Sequence, residues 1–252
     1  MEPVSEVVDL QTPDGPMAAV VARPADAGSY PAIIVAQEAF GVNGHIQDLG
    51  QRFAAEGYVT VAPDLFHRAG RLQTAAYGDF EAVGKLRTGM SDDGTVGDLN
   101  AVVAYLRQDP HVSGPEVGIT GYCMGGRVSF LAACRVEGAG AAAVYYGGGI
   151  VPRPDQPASG PAPIDLAGQI ACPVIGFFGR EDRGISVEAV DRIRDTLSSL
   201  GKEAEIILYP DAGHGFFCDD RESYNQAASA DAWFKTLAFF EKHLKHAPAT
   251  AR

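Results

Sequence analysis

The chain has 252 residues, with 20 lysines and arginines against 32 aspartates and glutamates, so its formal net charge is −12. Hydrophobic residues make up 46% and charged residues 21%, which is ordinary globular composition and excludes a disordered protein. The acidic balance disfavours nucleic acid as a partner, because binding phosphates requires a basic face. We expect one domain over residues 1–252, since α/β folds of roughly 250 residues are often single units.

The N-terminus and the cysteines predict a cytoplasmic protein that does not bind membranes. Residues 1–6 are acidic and lack the positive flank and apolar stretch of a signal peptide. No run of sequence approaches the ~18 apolar residues that a membrane-spanning helix requires. The four cysteines, at positions 123, 134, 172 and 218, show no CxxC spacing, so we expect free thiols in a reducing compartment.

Strand and helix patterns alternate along the chain. The first thirty residues predict a hairpin, with apolar strands at 4–10 and 17–22 joined by turn residues at 12–15. Further strands are predicted at residues 32–36, 58–62, 117–121, 142–146, 174–178 and 205–209. Helices with one apolar face are predicted around residues 46–53, 96–106, 128–134, 187–200 and 233–244. This order indicates an α/β fold, a mostly parallel sheet with helices on both faces and an N-terminal antiparallel hairpin.

Two stretches interrupt the alternation. Residues 66–95 are polar and contain several glycines, with a short helix predicted around residues 77–86. Residues 147–168 hold five prolines and five glycines, a composition that predicts a surface loop.

Cys123 lies in the motif Gly-x-Cys-x-Gly, directly between a predicted strand and a predicted helix. This is the pattern of the nucleophile elbow of α/β-hydrolases, with cysteine in place of serine. The helix N-terminus behind Cys123 would favour a thiolate, and the backbone N–H of Met124 would be offered to an oxyanion. A buried structural cysteine in a glycine-rich turn is the alternative interpretation of the motif alone.

An acid and a histidine follow in the order that such hydrolases use. Asp182 comes 59 positions after Cys123 and His214 comes 32 positions after Asp182, each just beyond a predicted strand. Nucleophile, acid and histidine in this order form the triad of α/β-hydrolases, and the ends of parallel strands bring them to one sheet edge. Glu181 and Asp211 are the rival acids in the same two loops.

Glu38 follows the strand predicted at residues 32–36, in the loop that supplies the second oxyanion N–H of these enzymes. A carboxylate beside a thiol is either an additional base or an exposed glutamate without a role.

Five motifs together resemble the dienelactone hydrolase (carboxymethylenebutenolidase) family, over about residues 15–245. They are Gln-Glu-Ala-Phe-Gly-Val-Asn from position 37, Ala-Pro-Asp-Leu-Phe from 62, Gly-Tyr-Cys-Met-Gly-Gly from 121, Tyr-Tyr-Gly from 145 and Ala-Gly-His-Gly-Phe from 212. The resemblance implies Cys123 as nucleophile, His214 as base and Asp182 as the residue that orients His214. It also implies that Glu38 holds and deprotonates the thiol, and that the backbone N–H groups of Met124 and Ala39 form the oxyanion hole.

The resemblance also suggests substrate-binding residues. Tyr77 and Phe80 keep the family's aromatic spacing, Tyr145 belongs to one of the shared motifs, and Arg68 and Arg71 lie in the segment from which the family takes an arginine. The best-known members hold a substrate carboxylate with two arginines, whereas Cys218 and Gln73 occupy the aligned positions here. Arg221 is the first arginine after the histidine. This departure predicts that a neutral small ester or lactone is cleaved at least as well as its carboxylate-bearing counterpart.

Two other readings remain open. His214, Cys218, Asp219 and Asp220 are close enough in sequence to suggest a metal site, although no second His/Cys cluster accompanies them. A non-catalytic binding or thiol-sensing protein of the same fold is the second alternative. We expect a cofactor-free hydrolase that cleaves a small ester or lactone through an acyl-enzyme, as a monomer or small homo-oligomer with no nucleic-acid or membrane partner.

Overall fold

The computed structural model describes residues 2–153 and 160–245. Their strands form one eight-stranded sheet in the order β1-β2-β4-β3-β5-β6-β7-β8. The strands are β1 (Val4–Thr12), β2 (Gly15–Arg23), β3 (Tyr30–Ala36), β4 (Val59–Pro63), β5 (Val112–Tyr122), β6 (Ala139–Tyr145), β7 (Val174–Gly179) and β8 (Ala204–Tyr209).

The sheet is parallel from β4 to β8, while β1 and β2 add an antiparallel hairpin at one edge. Hairpin pairing runs from Val4 opposite Arg23 to Thr12 opposite Gly15, around the turn that the sequence predicts. The predicted α/β architecture is therefore confirmed.

Helices cover both faces of this sheet. They are α1 (Gly44–Ala55), α2 (Phe80–Leu86), α3 (Asp92–Leu106), α4 (Met124–Arg135), α5 (Val187–Ser199) and α6 (Gln226–Phe240). Side-chain caps fix several starts: Asn43 accepts from the Ile46 N–H, and Ser91 from the Gly94 N–H. The Ser91 cap explains why α3 begins four residues before the predicted start. Within the described residues, no helix has the length and apolarity needed to cross a membrane.

Two apolar clusters lie against the sheet. Alternate residues of β3 belong to different clusters: Ile33 packs in one and Ile34 in the other. A strand buried on both faces needs apolar side chains at every position, which accounts for its unbroken hydrophobic run. The first cluster includes α1 and α6, where the tilted rings of Phe53 and Trp233 pack with centroids 4.5 Å apart.

The proline-rich segment is more buried than its composition suggests. A 3-10 helix spans Pro163–Gln169, and Ile150, Ala162 and Ile164 are all buried in the core. The prediction of a surface loop is therefore wrong for these residues, because their apolar side chains pack into the core. The central part of that prediction, residues 154–159, lies outside the described residues.

Candidate active site

The turn between β5 and α4 holds Cys123 in a conformation rare for a residue with a side chain. Its φ is 55° and its ψ is −112°. A Cβ on Gly121 would lie 2.0 Å from the carbonyl oxygen of Gly125, and one on Gly125 would lie 2.2 Å from that of Ala36. The two glycines are needed because backbone passes directly against them. The turn therefore projects the Cys123 side chain from the end of the sheet, as a nucleophile elbow does.

His214 connects Cys123 to Asp182. Its Nε2 lies 3.1 Å from the Cys123 Sγ, and its Nδ1 lies 2.7 Å from Oδ2 of Asp182. The other oxygen of Asp182 accepts hydrogen bonds from the N–H groups of Gly184 and Ile185, at 2.7 and 3.1 Å. These bonds orient a buried carboxylate toward the histidine. Cys123, Asp182 and His214, which span 91 positions of the sequence, thus form one hydrogen-bonded line.

The contacts with Asp182 and Cys123 change the pKa of His214. Burial by itself lowers the pKa of His214, but the hydrogen bonds to Asp182 and Cys123 outweigh it and raise the pKa to about 10. At neutral pH the imidazole therefore carries a proton and places a positive charge 3.1 Å from the Cys123 sulfur. The arrangement suits nucleophilic attack by sulfur followed by proton donation from nitrogen.

Glu38 lies fully buried at the end of β3 and is paired with Arg221. Its Oε1 is 3.5 Å from Nη1 of Arg221, too long for a well-formed hydrogen bond. Neither oxygen of Glu38 has a hydrogen-bond partner among the described residues. Burial raises the pKa of Glu38, and the charges of Arg221 and His214 oppose that shift. Burial therefore favours the protonated form of this carboxyl group more than water would.

The two predicted oxyanion donors lie in different loops after strands of the sheet. Met124 is the first residue of α4, where backbone N–H groups have no acceptor within the helix. Ala39 follows Glu38 in the loop from β3 to α1, and that loop is closed by a hydrogen bond from the Gly41 N–H to the Glu38 carbonyl. Both backbone positions are consistent with the predicted role.

An aromatic wall flanks the cleft beside Glu38. Phe40 and Tyr77 meet edge to face with centroids 4.8 Å apart, and Phe80 lies 6.3 Å from Phe40 with 71% of its surface exposed. The Tyr77 hydroxyl accepts from Nδ2 of Asn43 at 3.0 Å and lies 3.2 Å from the Cys218 Sγ. Tyr77 and Phe80 are thus placed where a substrate could contact them.

The structure does not bring Tyr145, Arg68 or Arg71 to the cleft. The Tyr145 hydroxyl is bonded within α6, to the Ala232 carbonyl and the Thr236 hydroxyl, and the whole residue is buried. These bonds leave it no group to offer a substrate.

The two arginines are held by carboxylates near the N-terminal hairpin. Arg68 donates to Asp98 and Asp14, while Arg71 donates to Asp9. The guanidinium groups of both arginines are engaged in these ion pairs and do not point at the site.

Two residues near the triad were not among the predicted site residues. Tyr146, with a φ of 37°, places its ring 5.2 Å from the His214 ring and is fully buried. Arg221 places its guanidinium over the rings of Phe40 and Tyr77. Tyr146 ends a predicted strand, which indicates the edge of the sheet where the site lies, but the sequence contains no signal for the bend that brings Arg221 inward.

The residues of the alternative metal site make different contacts. His214 is hydrogen-bonded to Asp182, whereas the Cys218 thiol is hydrogen-bonded to the Tyr77 hydroxyl. In the part of the chain that the structure describes, no group of three or more potential metal ligands comes together. All four cysteines are free thiols.

A mostly parallel sheet, flanked by helices and carrying its site at the carboxyl ends of the strands, defines an α/β-hydrolase. A sequence model of the dienelactone hydrolase family matches residues 17–244, so the chain belongs to that family and is a carboxylic ester or lactone hydrolase.

Relatives of known sequence and structure agree with this assignment. A putative carboxymethylenebutenolidase of Synechocystis is 38% identical over 231 residues, covering 91% of this chain and 93% of the relative. One from Escherichia coli K12 is 36% identical and covers 90% of this chain and 83% of the relative. The crystal structure of a putative dienelactone hydrolase from Klebsiella pneumoniae is 33% identical, with a TM-score of 0.86, and covers 96% of this chain and all of that one.

Proposed function

We propose that the protein is a cytoplasmic, cofactor-free hydrolase that cleaves a small ester or lactone through a thioester formed on Cys123. The observation that carries this proposal is the line from Asp182 through His214 to Cys123, with contacts of 2.7 and 3.1 Å. The names of the relatives, carboxymethylenebutenolidase and dienelactone hydrolase, support a lactone or ester as the substrate class.

In the first half of the reaction, the Cys123 thiolate attacks the substrate carbonyl carbon. The resulting oxyanion is stabilised by the backbone N–H groups of Met124 and Ala39. The carbon–oxygen bond to the leaving group breaks as His214 donates its proton to the departing alkoxide. A lactone opens at this step, while an ester releases its alcohol.

In the second half, a water molecule attacks the thioester carbonyl and gives a proton to His214. The carbon–sulfur bond breaks, the carboxylic acid is released, and sulfur returns to the thiolate beside the imidazolium. Asp182 keeps the imidazole in one orientation throughout.

Glu38 has a supporting role in this proposal. Its buried carboxylate is proposed to hold the Cys123 thiol and to take its proton when substrate arrives, so that the thiolate forms beside the imidazolium; the proton returns to sulfur after product leaves. Burial raises the pKa of Glu38, which favours its acceptance of this proton.

Rapid mixing with 4-nitrophenyl acetate tests the thioester. Wild-type protein should release a burst of 4-nitrophenol equal to the concentration of active sites, and mass spectrometry should find one acetyl group on Cys123. Cys123→Ala should lose the burst and at least about a thousandfold in kcat/KM while remaining folded.

Cys134→Ala is the matched control, since it removes a buried thiol from α4 outside the site. Near-normal turnover by Cys123→Ala would reject the proposed nucleophile. A labelled Cys123 without turnover would instead support the thiol-sensing alternative.

A further inference from the structure

Asp64 is a fully buried carboxylate at the end of β4, outside the triad. Both of its side-chain oxygens are taken by backbone N–H groups of the loop that follows. Oδ1 accepts from Phe66 at 3.1 Å, and Oδ2 accepts from Leu72. A neighbouring bond from the Leu65 N–H to the Gln37 side chain, at 3.1 Å, joins the same loop to the end of β3. The loop is therefore attached at its root to two adjacent strands.

The bond to Leu72 closes an eight-residue turn of chain onto Asp64. Leu72 has a φ of 49°, in the left-handed region that residues with side chains rarely occupy. Such a conformation persists only where surrounding contacts favour it over the relaxed alternatives. The Asp64 carboxylate is a contact of this kind, because it accepts the N–H of Leu72 itself.

Residues just beyond Leu72 form the wall of the cleft. The carbonyl oxygen of Gln73 lies so close to Gly41 that a Cβ there would be 2.5 Å away. The Ala75 N–H donates to the Phe40 carbonyl at 3.1 Å, and Tyr77 then packs edge to face on the Phe40 ring. The direction in which the chain leaves Leu72 therefore sets the position of Tyr77 relative to the cleft.

We propose that Asp64 is a positioning residue for the substrate cleft, which acts by holding the loop from Leu65 to Tyr77 so that the Tyr77 ring forms one wall beside Glu38. The inference rests on the proposed function of this site and adds to it a residue that determines which groups the cleft accepts. Asp64 itself touches neither the substrate nor the triad.

A carboxylate is the side chain that this geometry requires. Two backbone donors point at it, one on each oxygen, and aspartate can satisfy both. Asparagine has the same shape but presents an NH₂ group to one of these donors, so one hydrogen bond is lost and two donors face each other. Burial raises the pKa of Asp64, while its bonds to Leu72 and Phe66 and the charges of His67 and Arg71 oppose the shift.

The first test compares two alkylating reagents on Cys123, which needs no turnover. Iodoacetamide is small and should react without using the Tyr77 wall, whereas 2-bromoacetophenone brings an aromatic ring against it. We expect Asp64→Asn to lower the ratio of the two rate constants, aromatic to small, by about tenfold. An unchanged ratio in a folded Asp64→Asn protein would overturn the proposal.

Asp98→Asn is the matched control. Asp98 is also a buried aspartate and binds the same loop, through His67 and Arg68, but on the side of the N-terminal hairpin. We expect it to lower the Tm without changing the reagent ratio. An equal fall of the ratio in both variants would mean that any loosening of the loop suffices, and would overturn a specific role for Asp64.

A double-mutant cycle with Tyr77→Ala tests the route of the effect. If Asp64 acts through Tyr77, Asp64→Asn should lower kcat/KM for 4-nitrophenyl acetate about tenfold in the wild-type background and less than twofold when Tyr77 is already alanine. Additive losses would overturn the proposed connection. Failure of the wild-type protein to hydrolyse any ester would reject the proposed function, while the alkylation ratio would still decide the role of Asp64.

If Asp64→Asn does not fold, amide hydrogen exchange in the wild-type protein tests the proposal instead. In the wild-type protein the Leu72 amide should exchange much more slowly than that of Gly78, which lies in an exposed turn of the same loop. Equal rates at both positions would show that the Asp64 carboxylate does not hold the loop.

Discussion

At the scale of single residues, protonation explains most of the site. His214 contacts a carboxylate on one side and a sulfur on the other, and both neighbours favour its charged form. Glu38 shows the opposite behaviour, since burial favours its neutral form. Both pKa values are therefore raised, each by a different cause, and neighbouring groups of this kind can share protons during a reaction.

The raised pKa of His214 predicts how stability depends on pH. Because the pKa rises from 6.5 to about 10 on folding, the charged imidazole stabilises the native state fully below pH 6.5 and progressively less as pH approaches 10. We expect the Tm difference between wild type and His214→Ala to be constant below pH 6.5 and to shrink between pH 6.5 and 10.

Thermal unfolding monitored by circular dichroism across pH 5.5–10 measures this difference. Asp182→Asn supplies the control, since loss of the carboxylate should move the decline to lower pH. A Tm difference that grows with pH would contradict the assignment of the charge.

Glu38→Gln should separate stability from activity. An ionised Glu38 is unfavourable in its buried position, so replacing it by a neutral side chain of the same shape should leave the Tm unchanged or raise it. Turnover should nevertheless fall about 10²–10⁴-fold, because the carboxylate can no longer accept a proton. Steady-state kinetics over pH 6–9 and calorimetry on the same preparation test both expectations. Unchanged kinetics would remove Glu38 from the mechanism.

At the scale of elements, the site depends on how closely α4 approaches the ends of β3 and β5. Gly121 and Gly125 allow backbone-to-backbone contacts that no other residue would permit. The parallel pairing of β3 with β5 continues to Ala36 opposite Gly121, directly before the elbow. The position of Cys123 is thus determined by contacts of the main chain rather than by its own side chain.

Gly125→Ala should disrupt this approach. Its Cβ would lie 2.2 Å from the Ala36 carbonyl oxygen and 2.7 Å from that of Gln37, and neither backbone atom can move without shifting β3. We expect a loss of more than about 2 kcal/mol in the free energy of unfolding, with activity falling further than stability. Urea titration measures the first effect and ester hydrolysis the second.

Gly84→Ala is the matched control for that substitution. Gly84 lies in α2, and a Cβ there has open space around it. Because alanine is the better helix former, this variant should gain up to about 1 kcal/mol. Equal stability of the two variants would show that the close approach at Gly125 is not needed.

At the scale of the whole molecule, charge is unfavourable for anionic substrates. The protein carries a formal charge of −12, which repels anions at long range. Arg221, which lies near the cleft, is paired with Glu38. Arg68 and Arg71, which lie near the N-terminal hairpin, are paired with aspartates. A substrate carboxylate would have to compete with a protein carboxylate for each of these guanidinium groups.

We therefore predict that kcat/KM for a neutral lactone equals or exceeds that for its carboxylate-bearing counterpart. The absence of one charge-assisted contact costs about 1.5–3 kcal/mol, or roughly ten- to a hundredfold in rate. A paired assay of one lactone as methyl ester and as free acid, at two salt concentrations, makes the comparison. A preference for the free acid that Arg221→Gln abolishes would contradict the prediction.

The succession of strands and helices along the chain, the turn at Cys123 and the loops that carry Asp182 and His214 could be predicted from the sequence. Local rules determine them: apolar runs form strands, glycines mark the elbow, and parallel strands end at a common edge. The N-terminal hairpin could be predicted for the same reason, because its turn residues allow few other backbone conformations. Predictions based on alternation and turn chemistry therefore agree with the structure.

Only the tertiary structure decided which charged and aromatic side chains reach the cleft. Arg68 and Arg71 lie close in sequence to the aromatic wall but bind aspartates from distant segments, whereas Arg221 turns inward onto Glu38. Similarly, a positive φ at Tyr146 places that ring by His214 and leaves Tyr145 in the core. Long side chains on loops take their positions from partners far away in sequence, and no local pattern records those partners.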